Sequence, residues 1–178
     1  MNSIAIRHVE KFPEPDFSRL SRTVFADVQQ PSVELASTLA AEASASTSGG
    51  LPHPPMYRLG AYSEEELVGW SCGWMERGNV FYMANSGVVS SHRRKGVYSS
   101  LLSAIREYAS ANGAVTIRSQ HSVLNNPVII AKLQAGFHVS GLSQSAQMGT
   151  LVELTFHFSE KRHGLFRTRS LPYVTPDA

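Results

Sequence analysis

The sequence predicts one α/β domain over residues 1–178, built on a mixed, mostly antiparallel sheet of about six to seven strands flanked by about four helices. Three observations point there. Residues Met56 to Ser90 hold three strand-like runs joined by short turns, which reads as an antiparallel meander. Helical periodicity then alternates with single strand runs, giving a strand-helix-strand-helix-strand centre. The chain has 178 residues, 42% of them hydrophobic, which is the length of one domain with one substantial core.

Each element has a local reason. SIAIRHV (Ser3 to Val9) alternates well enough for a first strand, and Phe17, Leu20, Val24 and Phe25 then recur at helical spacing behind a cap at Asp16. QPSVELASTLAAEA, from Gln30, predicts a second helix with Pro31 at an allowed first-turn position. SASTSGGLPHPP closes a segment, residues 41–55, that reads as a mobile loop. MYRLGAY, LVGWSCGWMER and VFYMANSGVVS are the meander strands, turning at SEEE and at Gly78-Asn79. Val97, Leu101, Leu102, Ile105 and Tyr108 share one helical face that should pack on the sheet, and this helix should end near Asn112-Gly113. AVTIRSQ supplies another strand. Asn126-Pro127 predicts a capped helix start, and Gly136 its left-handed stop. FHVSGLSQSA and GTLVELTFHF form a final hairpin, and residues 160–178 a polar tail.

Sixteen Lys and Arg against fourteen Asp and Glu leave a formal charge of +2. General attraction to nucleic acid or anionic membrane is therefore not expected, and any basic function is local. A lone cysteine, Cys72, lies in an apolar run and reads as core rather than nucleophile. The N-terminus lacks the apolar core of a signal peptide, and no run approaches the roughly 18 apolar residues of a membrane span. A soluble, cytoplasmic protein without metal is the expectation.

Positive charge is concentrated in SSHRRKGVYSSLL, at the mouth of a predicted helix. Helix-start amides have no intrahelical partners and already sit at the positive end of the dipole. Gly96 lets the chain come close to a ligand, and Arg93, Arg94 and Lys95 add attraction and direct phosphate contacts. A pyrophosphate on an extended organic arm fits, because the strand edge at SGVVS could pair with amides of that arm.

Arg93-Arg94-Lys95-Gly96-Val97-Tyr98 resembles the Arg/Gln-x-x-Gly-x-Gly/Ala acyl-coenzyme A signature of the GNAT N-acetyltransferases. EELVGW is similar to that family's GELVGF strand, Val88 falls where its central strand ends, and NNPVIIAKLQAGF resembles the stretch in which an Asn opens a helix that closes in Gly-Phe. The match runs from about Met56 to Gly141. The resemblance implies a GNAT-like sheet split at the central strand and direct acetyl transfer from acetyl-coenzyme A to a primary amine. It places the coenzyme on Gly87, Val88 and Val89, on Arg93 through Val97, Tyr98 and Ser99, and beside Asn125 and Asn126. It also implies an oxyanion-stabilising amide around Gly87 to Val89, where ANSGVV suits a bulge. Two positions depart from the pattern. Tyr98 replaces a small residue, and Lys132 stands where many members carry a Tyr that protonates the leaving thiolate.

For the base, His121 leads, since it follows a strand beside the split and its reference pKa is near neutral; a core histidine is the alternative. Ser119 shares its strand face and positions substrate or relays through water, or else bonds within the sheet. Asn85 and Tyr82 on the central strand face the acceptor or the core, and His92 anchors the loop or is exposed. Asp27, Glu34 and the Glu64-Glu65-Glu66 run would attract a cationic amine or are ordinary solvated charges. Two rivals remain open. One is a catalytically silent acyl-coenzyme A-binding module; the other is a nucleic-acid-binding domain using the loop and KRHGLFRTRSLPYVTP, a tail that otherwise reads as a frayed end or a homodimer contact.

Overall fold

The meander forms as expected and is extended on both sides into one sheet. The computed structural model describes residues 3–26, 54–146 and 148–170. Among them are seven strands: β1 (Ile4–His8), β2 (Tyr57–Ser63), β3 (Glu66–Glu76), β4 (Val80–Val88), β5 (Thr116–Ser122), β6 (His138–Ser145) and β7 (Gly149–His157). Four α-helices accompany them: α1 (Asp16–Val24), α2 (Val97–Ala111), α3 (Asn126–Gln134) and α4 (Glu160–Ser170). The sheet order is β1-β2-β3-β4-β5-β7-β6. Only β4 and β5 pair in parallel, as a strand-helix-strand crossover through α2 requires. The expected helix over Gln30 to Ala43, most of the loop at 41–55, Asp27 and Glu34 lie outside the described residues.

The predicted helical face is the core. Val97, Leu101, Leu102, Ile105 and Ala109 are buried, packed with Val68, Phe81, Met83, Ile117 and Leu154 of the sheet. The other sheet face carries α1, and the rings of its Phe17 and of Phe25, just past its end, stand edge-on to Trp70 at 5.2 and 5.9 Å.

Both central helices stop the same way. Gly113 and Gly136 adopt φ of +77° and +83°. The amides beyond them turn back, Ala114 N–H to the Ala109 carbonyl and Phe137 N–H to the Lys132 carbonyl, at 2.9 and 3.0 Å. This pattern brings the third residue from the helix end against the second residue past it. In α2 that pair is Ala109 with Ala114, both buried. In α3 it is Lys132 with Phe137, so the cap itself carries a lysine into the interior.

Three expectations need correction. Asp16 and Asn126 begin their helices, but neither side chain caps its own helix; in α1 it is the Glu14 carboxylate that accepts from Ser18 N–H, at 3.3 Å. The bulge falls within ANSGVV, but at its first residue rather than at Gly87–Val89: Cys72 pairs with Asn85 and Gly73 with Met83, leaving Ala84 as the extra residue. The tail is not frayed at its start. Glu160–Ser170 is helical, and Phe166 packs 3.7 Å from His138, measured between ring centroids.

Candidate active site

Parallel pairing between β4 and β5 runs from Val80–Thr116 to Met83–Ser119 and stops there. Past that point β4 pairs only with β3, and β5 only with β7. The sheet is thus split at its middle, and the far half of β4 has a free edge. Val89 N–H bonds to the Val68 carbonyl at 3.0 Å, which makes that an in-bonded pair and the adjacent Gly69–Val88 pair an out-pointing one. The Val88 amide therefore faces the split, as does that of Ser86 two residues back. Gly87 and Val89 turn their amides to β3. Gly87 has a different reason to be glycine: a Cβ there would lie 2.5 Å from the Trp70 ring.

The basic loop follows a short 3-10 turn, Ser90–His92, and enters α2 through Gly96 at φ +81°. Gly96 O accepts the first helical bond, from Ser100 N–H, so the Val97, Tyr98 and Ser99 amides lie ahead of the helical ladder. No side chain caps them. Arg94, also at positive φ (60°), and Lys95 are exposed. Arg93 is occupied: its Nε donates to the Val88 carbonyl at 3.0 Å and its Nη2 to that of Val24 at 3.5 Å. It ties the loop to the end of β4 and to α1. The Tyr98 ring packs against the core with its hydroxyl buried and unpartnered among the described residues, and burial pushes that phenol up. His92 Nδ1 meets Ser91 Oγ at 3.1 Å. Asn125 and Asn126 are exposed at the start of α3.

Ser119 and His121 come together on the α3 face of β5. Ser119 Oγ is 3.1 Å from His121 Nε2 and 2.7 Å from Lys132 Nζ. Ser119 and Lys132 are wholly buried, while His121 is half-buried. Lys132 Nζ also touches Met83 Sδ at 3.3 Å and stands 4.3 Å over the Phe137 ring. Burial, and secondarily the charge of Arg106, push Lys132 down to about 7. Burial and the charge of Lys132 push His121 down to about 3, so its ring is neutral near neutral pH rather than poised there. Position 132 thus holds an ionisable group inside the core, of a different kind from the phenol expected there.

Asn85 is separated from this pair. The Ala84 bulge consumes one residue between Met83 and Asn85, so the two point to opposite faces. Asn85 Oδ1 accepts a hydrogen bond from Trp70 Nε1 at 2.7 Å, on the α1 side. Tyr82 shares that side with a charge network: Arg118 bonds Glu76 at 2.5 Å and lies 3.7 Å from Glu153, with its guanidinium 5.8 Å from the Tyr82 ring. Glu65 is taken by Arg7 at 3.0 Å. Cys72 is buried, and burial raises its thiol pKa.

A split parallel pair, a free β4 edge, a basic loop and an uncapped helix mouth follow one another along the chain from β4 into α2. The Acetyltransferase (GNAT) family model matches residues 10–137. The chain belongs to the GNAT acetyltransferase family. Among solved GNAT structures it is similar to the ribosomal-protein-S18-alanine N-acetyltransferase from Escherichia coli (TM-score 0.67, 13% identity, 88% of this chain and 95% of that one). It is also similar to a Bacillus subtilis acetyltransferase in complex with CoA (0.61, 16%, 88% and 100%) and to nourseothricin acetyltransferase (0.56, 20%, 62% and 71%). A comparison with curated proteins by sequence gives no match. GNAT membership supports acyl-coenzyme A-dependent acetyl transfer as the general chemistry. In this GNAT chain the residues that sequence patterns missed are Ser86, through its out-pointing amide, and Lys132, through its burial. A cap-position argument from Gly136-Phe137 would have found Lys132.

Proposed function

We propose that the chain transfers an acetyl group directly from acetyl-coenzyme A to a primary amine. The observation that carries this reading is the continuity of the free β4 edge with the helix mouth at Gly96. An extended amide-bearing arm fits the first and its pyrophosphate the second. Phosphate oxygens would be held by the amides at 97–99, with Arg94 and Lys95 adding charge. Val88 N–H, aimed into the split, is suited to the oxyanion that develops when a neutral amine attacks the thioester carbonyl. A thiol of ordinary pKa about 8.5 leaves readily near neutrality, so little proton donation is needed at sulfur.

Calorimetric titration with acetyl-coenzyme A and coenzyme A at two salt concentrations tests this. Binding of both, tighter for the acetyl form and weakened by salt, is expected. Gly96→Glu should abolish it by placing charge and bulk at the phosphates, and Arg93→Ala should weaken it by releasing the loop from Val88. Binding without turnover across a library of primary amines would identify a silent acyl-coenzyme A-binding module instead. Failure to bind either ligand would overturn the phosphate assignment.

A further inference from the structure

Lys132 is the only charged residue wholly buried among the described residues. Among the described residues nothing anionic compensates it: its Nζ meets a hydroxyl, a thioether and a ring face. The titratable groups facing it are His121 from β5 and, from α2, Arg106, whose guanidinium lies 4.0 Å over Phe156 and donates to the Ala135 carbonyl at the end of α3. Arg106 disfavours its charge, and the His121 ring is neutral and offers no countercharge. A methionine would fill the same space without that conflict. The polar path out of the pocket runs from Lys132 Nζ through Ser119 Oγ to the half-buried His121, which stands just past the last residue of β5 that pairs with β4, at the split.

That path has two arrangements. With Lys132 charged, Nζ donates to Ser119 Oγ and the hydroxyl donates to His121 Nε2. With Lys132 neutral, His121 Nε2–H donates to Oγ and the hydroxyl donates to the Nζ lone pair. Switching between them moves the imidazole proton from one ring nitrogen to the other while the ring stays neutral.

Resting on the acetyltransferase reading, we infer that Lys132 is a proton-holding positioning residue that acts on the reaction through Ser119 and His121. The acceptor nitrogen forms its bond to the acetyl carbon and its proton passes to His121 Nδ1. His121 gives its Nε2 proton to Ser119 Oγ, and the serine proton goes to Lys132 Nζ. The carbon–sulfur bond then breaks, and the chain runs backward to deliver that proton to the thiolate. Amide and thiol leave, and the cluster returns to its starting state.

The sequence has only four lysines, Lys11, Lys95, Lys132 and Lys161, so nuclear magnetic resonance titration of side-chain lysine and histidine nitrogens in the full chain is decisive. One lysine signal should titrate near neutrality and vanish in Lys132→Met. The His121 ring signals should exchange tautomer along that same curve, and Ser119→Ala should uncouple them. With an accepted amine, Lys132→Met should lower kcat/KM at pH 8 by about 100-fold and erase the inflection near neutrality, while acetyl-coenzyme A affinity stays within about twofold. Four lysines titrating together at high pH, or a His121 that ignores the Lys132 curve, overturns the relay. Calorimetry on the same sample separates the two levels: absence of coenzyme binding removes the reaction, whereas binding with an uncoupled His121 removes the relay alone.

Discussion

Replacing Lys132 by Met should stabilise the protein, and by an amount that depends on pH. The lysine goes from an ordinary pKa of 10.5 to about 7 on folding, because burial and Arg106 oppose its charge. The folded chain therefore binds fewer protons than the unfolded one between those values, and stability rises with pH across that window. The destabilisation begins as pH falls below 10.5, reaches about 2 kcal/mol at pH 9, and is complete, at about 5 kcal/mol, below pH 7. Methionine is close to lysine in length and carries no charge. Ser119 keeps His121 as a hydrogen-bond partner in the variant, so no new buried polar group is orphaned. Denaturant unfolding at pH 6, 8 and 10 should show a gain that shrinks toward zero as pH rises. A pH-independent difference, or a variant less stable than the parent at pH 6, would refute the reasoning, since it would mean that the ammonium is compensated in the fold.

Glycine substitutions sort by what stands where the new methyl would go. At Gly73 a Cβ would lie 2.1 Å from the Tyr82 carbonyl, so Gly73→Ala should destabilise by about 3 kcal/mol or more in denaturant melts. At Gly96 space is open and only the left-handed backbone is strained, so Gly96→Ala should lose about 1 kcal/mol. Gly87→Ala should displace the Trp70 ring and break its 2.7 Å bond to Asn85, detectable as altered tryptophan fluorescence in a chain that stays folded. In the cluster under α4, burial and the neighbouring His157 and His163 hold His138 down to about 4, and burial lowers His157. These groups resist protonation only while folded, so stability falls as pH drops from about 6.5 toward 4. The signals of α4 should be the first to change in a two-dimensional amide spectrum; a helix that is unaffected at pH 4 would contradict this.

Periodicity made the fold legible, because burial of one face imposes a repeat that survives in sequence. The three-run meander, the Val97–Leu101–Leu102–Ile105 face and the two glycine stops each follow from it. The basic loop was legible as charge at a helix mouth, but the orientation of its side chains was not: Arg93 reads as a phosphate ligand until its bond to Val88 is seen. One candidate residue, Asn85, does not stand where strand alternation puts it. Counting by twos from Met83 puts Asn85 beside Ser119 and His121, and the one-residue bulge at Ala84 sends it to the opposite face. ANSGVV suits a bulge, but nothing in its composition singles out its first residue, Ala84.

Lys132 illustrates the converse, a site dictated by a structural rule and then open to chemical use. Helix α3 leaves Ile130 and Leu133 more than two-fifths exposed while burying its lysine completely, against every hydropathy expectation. The reason is positional. Gly136 fixes the left-handed turn, Phe137 folds back as its apolar partner, and the residue three from the helix end is drawn beneath that ring whatever its identity. A core position set by backbone geometry tolerates an apolar side chain most easily, so an amine retained there at a stability cost of several kcal/mol, in line with a serine and a histidine leading to the split strands, is best accounted for by what it can do with a proton.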